Sequence, residues 1–183
     1  MFRRVAEAAT LQPQPPIPGR QYAAGVDVAA LQDFTVVSVM DVATKQMVHM
    51  DRFNRVEYGT LEDRLVAVWQ RYKLSNMVVE SNAIGQPVID HLVARGVPVM
   101  PFTTSNATKH EIITSLQAAF EHDEIRILND PTLIAELQAF EMERLPSGLV
   151  RYAAPEGMHD DCVMSLAFAW YAVADSGPLL LWG

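Results

Sequence analysis

The sequence predicts one α/β domain built on a partly parallel sheet, and three observations carry that prediction. Short β-branched and apolar runs at Tyr22–Leu31, Phe34–Asp41 and Gln46–Phe53 are joined by connections of a few residues, as an antiparallel meander requires. From Thr60 the apolar spacing becomes helical, and strand and helix then alternate, the pattern of parallel strands with helices on their faces. With 183 residues, half of them apolar, the chain has material for one sizeable core.

The opening, residues 1–20, starts with a helical turn and runs into Leu11-Gln-Pro-Gln-Pro-Pro-Ile-Pro-Gly-Arg20. Proline at this density forbids helix, so a semi-rigid linker from an upstream unit is expected. The domain proper is expected over 21–176, with a short tail at 177–183. The first strand ends in a turn at Leu31–Asp33, and Val42–Lys45 joins the second and third. Leu61, Leu65, Val68, Trp69 and Tyr72 mark an amphipathic helix with Thr60 and Asp63 as its capping box. Asn76–Glu80 is a buried strand, Ile84–Arg95 a helix stopped by Gly96, and Val97–Met100 a brief strand.

Thr103–Lys109 caps the next helix, which buries Ile112, Ile113, Leu116, Ala119 and Phe120. A strand at Ile125–Leu128 precedes a helix from Pro131 to Phe140, with proline in the first turn where its missing N–H is harmless. Leu145–Leu149 turns between two short strands and brings Arg144 and Arg151 into one neighbourhood. The last helix opens near Met158-His-Asp-Asp161 and buries Val163, Leu166, Ala167, Trp170 and Ala174.

Composition narrows the function. Fourteen basic against 22 acidic side chains, a net charge of −8, argue against an independent nucleic-acid binder but suit a cation site. The single cysteine, Cys162, excludes an internal disulfide framework and fits a reducing compartment; its expected role is a small core side chain. No segment approaches the roughly 20 apolar residues needed to span a bilayer.

Against this background the acids at element ends stand out: Asp27 inside an apolar strand, Glu80 at a strand end, and Asp160-Asp161 opening a helix. Burying a carboxylate alone costs several kcal/mol, so Asp27 needs a partner. If the Asp27 and Glu80 strands are parallel neighbours, about 5 Å apart, the two acids meet at their carboxyl ends and the last helix delivers a third. Converging carboxylates are reconciled by one or two hard divalent cations, magnesium or manganese, which serve phosphodiester chemistry. Taken singly, each acid also has a plainer role. Asp160 or Asp161 suits a helix cap, Glu80 a solvated strand end and Asp33 a turn, while Lys109 and His159 suit the surface.

Gly-Val-Asp27-Val-Ala with Asp33-Phe-Thr-Val-Val, Val-Val-Glu80-Ser-Asn, Thr-Ser-Asn-Ala-Thr-Lys109 and Met-His-Asp160-Asp161-Cys-Val-Met-Ser-Leu-Ala-Phe-Ala occur in this order. Together they resemble the nuclease domain of the large terminase subunit of tailed bacteriophages over Tyr22–Ala174. The resemblance implies an RNase H-like fold: a central mixed five-stranded sheet, its first three strands antiparallel and the rest parallel, with helices on both faces. It implies that Asp27, Glu80 and one or both of Asp160 and Asp161 are catalytic metal ligands, and that Asp33 occupies the place of an additional acid found in some members. Some relatives carry a further Asp one turn into the last helix, where this chain has Met164.

The implied reaction is endonucleolytic cutting of concatemeric double-stranded viral DNA with Mg2+ or Mn2+, in the cytoplasm of a bacterial host. Implied partners are an ATPase motor, the portal and the small terminase subunit, with no membrane. No G-x-x-x-x-G-K-[ST] loop occurs, so the motor is absent and the proline-rich opening reads as its tether. Candidate DNA contacts are Arg52, Arg55, Lys109, Arg144 and Arg151, and the isolated chain is expected to cut weakly, salt-sensitively and without sequence preference. Competing readings are a junction resolvase or transposase-type nuclease and a catalytically silent module docking on the motor. A Rossmann domain lacks its glycine fingerprint here, and a receiver domain would need Asp27 and Asp33 closer together.

Overall fold

The computed structural model describes residues 1–29 and 33–174. The expected end of the first strand at Leu31, most of its turn and the tail at 177–183 lie outside the described residues. In chain order the elements are α1 (Val5–Ala8), β1 (Ala9–Leu11), β2 (Tyr22–Asp27), β3 (Thr35–Asp41), β4 (Met47–Phe53), α2 (Tyr58–Tyr72) and β5 (Asn76–Glu80). They continue with α3 (Gly85–Ala94), β6 (Val99–Phe102), α4 (Asn106–Glu121), β7 (Ile127–Leu128), α5 (Pro131–Ala139), β8 (Glu141–Arg144), β9 (Val150–Ala153) and α6 (Asp161–Ala174).

Five strands form one sheet in the order β4-β3-β2-β5-β6. The meander β2-β3-β4 is antiparallel, and β5 and β6 add to it in parallel, as the connection lengths require. Strand β2 is thus the switch point: its neighbour on one side runs against it and on the other runs with it.

Side chains alternate across the sheet, and the alternation decides which residues meet which helix. On one face Tyr22, Ala24, Val26, Met77 and Val79 pack with residues of α2 and α3 such as Leu65 and Leu92. On the other, Ala23, Val36, Met40 and Val78 pack with α4, α5 and α6. Asp27 and Glu80 have the parity of Ala23 and Val78, so both belong to the α6 face.

Helix α6 is buried from Cys162 through Trp170 and again at Ala172 and Val173, a central helix covered well beyond the five positions expected; Ala174, one of those five, is exposed. It reaches the sheet because residue 25 is glycine. A Cβ there would lie 2.1 Å from Ala169 N and 2.4 Å from Ser165 O, impossibly close. Ser165 Oγ then sits 2.9 Å from both Gly25 O and Ser38 Oγ, fastening the helix two residues from Asp27.

The remaining differences from expectation have local causes. Helix α2 begins at Tyr58 with no side-chain cap, and Asp63 pairs with Arg95 at 2.8 Å instead of capping with Thr60. Strand β6 starts at Val99, because Gly96 (φ +84°) and Val97, whose N–H is donated to Leu92 O, close α3. β7 joins β1 rather than the main sheet. The expected linker is built into the fold along its length. Phe2, Val5 and Ala8 are core residues, and the Met1 amine donates to Phe140 O at 2.9 Å. Further on, Gln14 accepts from Tyr72 Oη at 2.7 Å and Ile17 N–H donates to Tyr22 Oη at 2.9 Å.

Candidate metal centre

Parallel pairing of Val26 with Val79 sets Asp27 and Glu80 side by side at the carboxyl ends of β2 and β5. The start of α6, held down at Gly25, brings Asp160 and Asp161 to the same end. Their mutual influence is written in the Asp27 carboxyl, whose pKa is raised well above the ordinary range by burial first, then by Asp161, Glu80 and Asp160, with Lys109 opposing. Asp161 is pushed to about 6 by burial, Glu136 and Asp160, against His159 and Arg52.

Each outer carboxylate lies beside a nitrogen-bearing side chain. Asn82 Nδ2 donates to Glu80 Oε2 at 2.8 Å, while Asn82 Oδ1 accepts from Ile84 N–H and Gly85 N–H at 3.0 and 2.7 Å. Backbone N–H groups only donate, so the amide orientation is fixed by the chain and Asn82 both ties the turn that leads into α3 and braces Glu80. Gly85 permits this tight return, since a Cβ there would lie 2.0 Å from Glu80 O. Lys109 Nζ, on a helix capped by the reciprocal Ser105–Thr108 pair, lies 3.9 Å from Asp160 Oδ2. His159 Nδ1 lies 3.5 Å from Asp161 Oδ2.

Among the described residues, no three His, Cys, Asp or Glu side chains are already drawn around one point as a closed metal cage. The residues nevertheless fit a hard cation in kind. The donor set is all oxygen, and Asp161 Oδ2 is buried with no hydrogen-bond partner. The capping alternative for these acids is served elsewhere: it is Glu136 of α5 whose Oε2 accepts the Cys162 N–H at 2.7 Å.

The other sequence candidates are dispersed. Asp33 is exposed and lines a separate hollow with Arg55 and Tyr58, and it is absent from the charges acting on Asp27. Arg52 is engaged inside the fold, 3.8 Å from Glu136 Oε1 and stacked 3.3 Å from the centre of the Phe34 ring. Arg55, Arg144 and Arg151 are exposed, and Arg151 shares a groove with Asn106, Lys109 and Tyr152. Cys162 is buried, as anticipated for a core side chain. Sequence reasoning missed Asn82 and Glu136. An Asn two residues before a helix was a capping signal for the first, whereas the second carried none.

A β4-β3-β2-β5-β6 sheet with acids ending its two central parallel strands, faced by a helix that opens with two more, is an RNase H-like arrangement. Residues 24–171 match the family model described as the terminase RNaseH-like domain, and the chain belongs to that family. The large terminase subunit of Thermus virus P23-45 is 31% identical over 154 residues, 84% of this chain and 32% of that protein. The chain therefore spans about a third of the length of the curated relatives it matches.

Among solved structures, the large terminase nuclease of thermophilic phage G20c with bound magnesium superposes with a TM-score of 0.85. It is 28% identical, over 91% of this chain and 94% of that one. The nuclease domain of Thermus phage P74-26 gives 0.83 at 28% identity, over 94% and 95%. The HK97 large terminase, at 14% identity and a TM-score of 0.73, shares the fold over 94% of this chain and 43% of its own.

Proposed function

We propose that this chain is the endonuclease domain of a phage DNA-packaging terminase, cutting double-stranded DNA by divalent-metal-dependent phosphodiester hydrolysis. The observation that carries the reading is the electrostatic meeting of Asp27 with Asp161, Glu80 and Asp160 at one end of the sheet, next to a buried, unpartnered carboxylate oxygen. The magnesium- and cobalt-bound G20c nuclease structures lend it support. Asp27, Glu80, Asp160 and Asp161 would hold Mg2+ or Mn2+, one ion or two; Asp33, exposed and apart, is at most an outer contact.

A bound divalent cation supplies Lewis acidity, neutralising phosphate oxygens and acidifying a water. The chain's own residues do the rest. Asp27 and Asp161 provide negative charge in a partly dry setting, where it attracts a cation more strongly than it would in water. Asn82 fixes the direction of Glu80. Lys109, beside Asp160 and open to the Arg151 groove, offers positive charge to a phosphate that approaches along it. In the intact machine the partners would be an ATPase motor, the portal and the small subunit, acting in the host cytoplasm.

Plasmid digestion with magnesium, manganese or chelator tests the reading. Metal-dependent nicking by the parent, lost in Asp27→Asn and Glu80→Gln, is the expected result. Undiminished cutting by both variants would move the activity elsewhere. No cutting in manganese would favour a silent docking module, and preference for four-way junctions a resolvase.

A further inference from the structure

Behind Asp161, three buried polar atoms from three separate elements lack a hydrogen-bond partner: Arg52 Nε, Glu136 Oε1 and Asp161 Oδ2. Buried polar atoms in native folds are almost always satisfied, so three in one neighbourhood require a reason. Their connections form a ring. Arg52 Nη2 lies 3.8 Å from Glu136 Oε1, and Glu136 Oε2 accepts the N–H of Cys162, the residue after Asp161, at 2.7 Å. In the other direction Arg52 stacks 3.3 Å from the centre of the Phe34 ring. Phe34 meets the His159 ring edge-on at 5.6 Å, and His159 Nδ1 lies 3.5 Å from Asp161 Oδ2.

Arg52 is therefore a partly buried guanidinium that ion-pairs loosely with Glu136 and whose charge also reaches Asp161. A guanidinium removed from water seeks a carboxylate, and with Glu136 uncharged Arg52 would be free to turn to Asp161, on which its charge already acts. A carboxylate paired with Arg52 is a poor ligand for a cation.

We infer that Glu136 is a positioning residue: it holds Arg52 and so keeps Asp161 available to a divalent cation. This assignment rests on the metal-centre reading above. It makes Arg52 a part of the site's interior rather than a phosphate contact. Glu136 acts through Arg52 and through the first turn of α6, touching neither substrate nor the reacting atoms.

The two residues make a coupled pair that a double-mutant cycle resolves. Glu136→Gln keeps an oxygen for the Cys162 N–H but discards the charge, and Arg52→Met keeps the stem over Phe34 but discards the cation. Mn2+ binding to the whole chain, measured by calorimetry, is expected to weaken about 10-fold in Glu136→Gln, in the range that indirect supporting partners of metal ligands produce. The same change in the Arg52→Met background is expected to cost less than about 2-fold. Equal losses in both backgrounds would reduce Glu136 to a through-space charge or a helix cap and overturn the inference, as would no loss in the parent. Should Glu136→Gln fail to fold, Arg52→Met alone decides. It is expected to bind Mn2+ at least as tightly as the parent, and a 10-fold loss would overturn the inference. Failure of the underlying reading looks different: the parent binds no Mn2+, or Asp27→Asn binds it unchanged.

Discussion

Burial and neighbouring carboxylates hold the Asp27 carboxyl well above the usual carboxylate range. It is ionised only at the expense of burial and of three neighbouring carboxylates, with one lysine in relief. With Asp27 proposed as a metal ligand, Asp27→Asn is expected to abolish cutting while raising the melting temperature of the metal-free protein by roughly 2–4 °C, for about 1 kcal/mol of relieved strain. Scanning calorimetry with chelator checks this, and a lower melting temperature would contradict it.

The pH dependence follows from the same groups. Asp161 binds its proton more tightly folded, at about 6 against an ordinary 3.8, so the folded state holds more protons and stability falls as pH rises through that interval. The loss approaches about 3 kcal/mol at 1.36 kcal/mol per unit, and Asp27 adds to it in the same direction. Metal-free protein is expected to melt higher at pH 4.5 than at pH 7.5, with millimolar Mg2+ or Mn2+ raising the pH 7.5 value. A melt that is flat with pH and indifferent to metal would contradict this.

At the scale of elements, the site exists because α6 lies directly on β2. Gly25→Ala would put a methyl group 2.1 Å from Ala169 N, with backbone on every side and no flexible neighbour to yield. The helix must lift, costing about 3 kcal/mol or more and moving Asp160 and Asp161 away from Asp27. A melting temperature lowered by about 6 °C or more, with loss of Mn2+ binding, is expected. Gly59→Ala, in the first turn of α2 with nothing within 4 Å, is the matched control and should stabilise by about 0.5–1 kcal/mol. Equal melting temperatures for the two variants would show that the helix–strand contact is loose.

At the scale of the whole molecule, the acidic balance of −8 leaves little capacity for gripping DNA. Arg151 shares the outer side of its hairpin with Glu141, Glu143 and Glu156 as well as the groove beside Lys109. Duplex binding by the isolated chain is expected to be weak and to vanish between about 50 and 200 mM salt, as fluorescence anisotropy would show; salt-resistant binding would point to a contact surface other than these cations. Deleting residues 1–11 should lower stability rather than shed a free tether, because Phe2 packs against the rings of Phe120 and Phe140.

What the sequence reveals of this depends on range. Asp27 and Glu80 are legible because an acid ending an apolar strand is anomalous on local grounds, and the sheet follows from connection lengths. Glu136 is illegible: on α5 it reads as an ordinary helix residue beside Leu137, and its partners lie 84 residues before it at Arg52 and 26 after it at Cys162. The docking of residues 1–11 is hidden likewise, because β1 pairs with a strand more than a hundred positions away.

The acids at the ends of β2, β5 and the start of α6 are expected to close around a cation. Anomalous diffraction from crystals soaked in millimolar Mn2+ tests it most directly. A peak is expected at about 2.1–2.3 Å from carboxylate oxygens of both Asp27 and Asp161, a manganese–oxygen bonding distance close to those of magnesium and calcium. No peak between them at saturating Mn2+, or one held only by residues elsewhere, would contradict it.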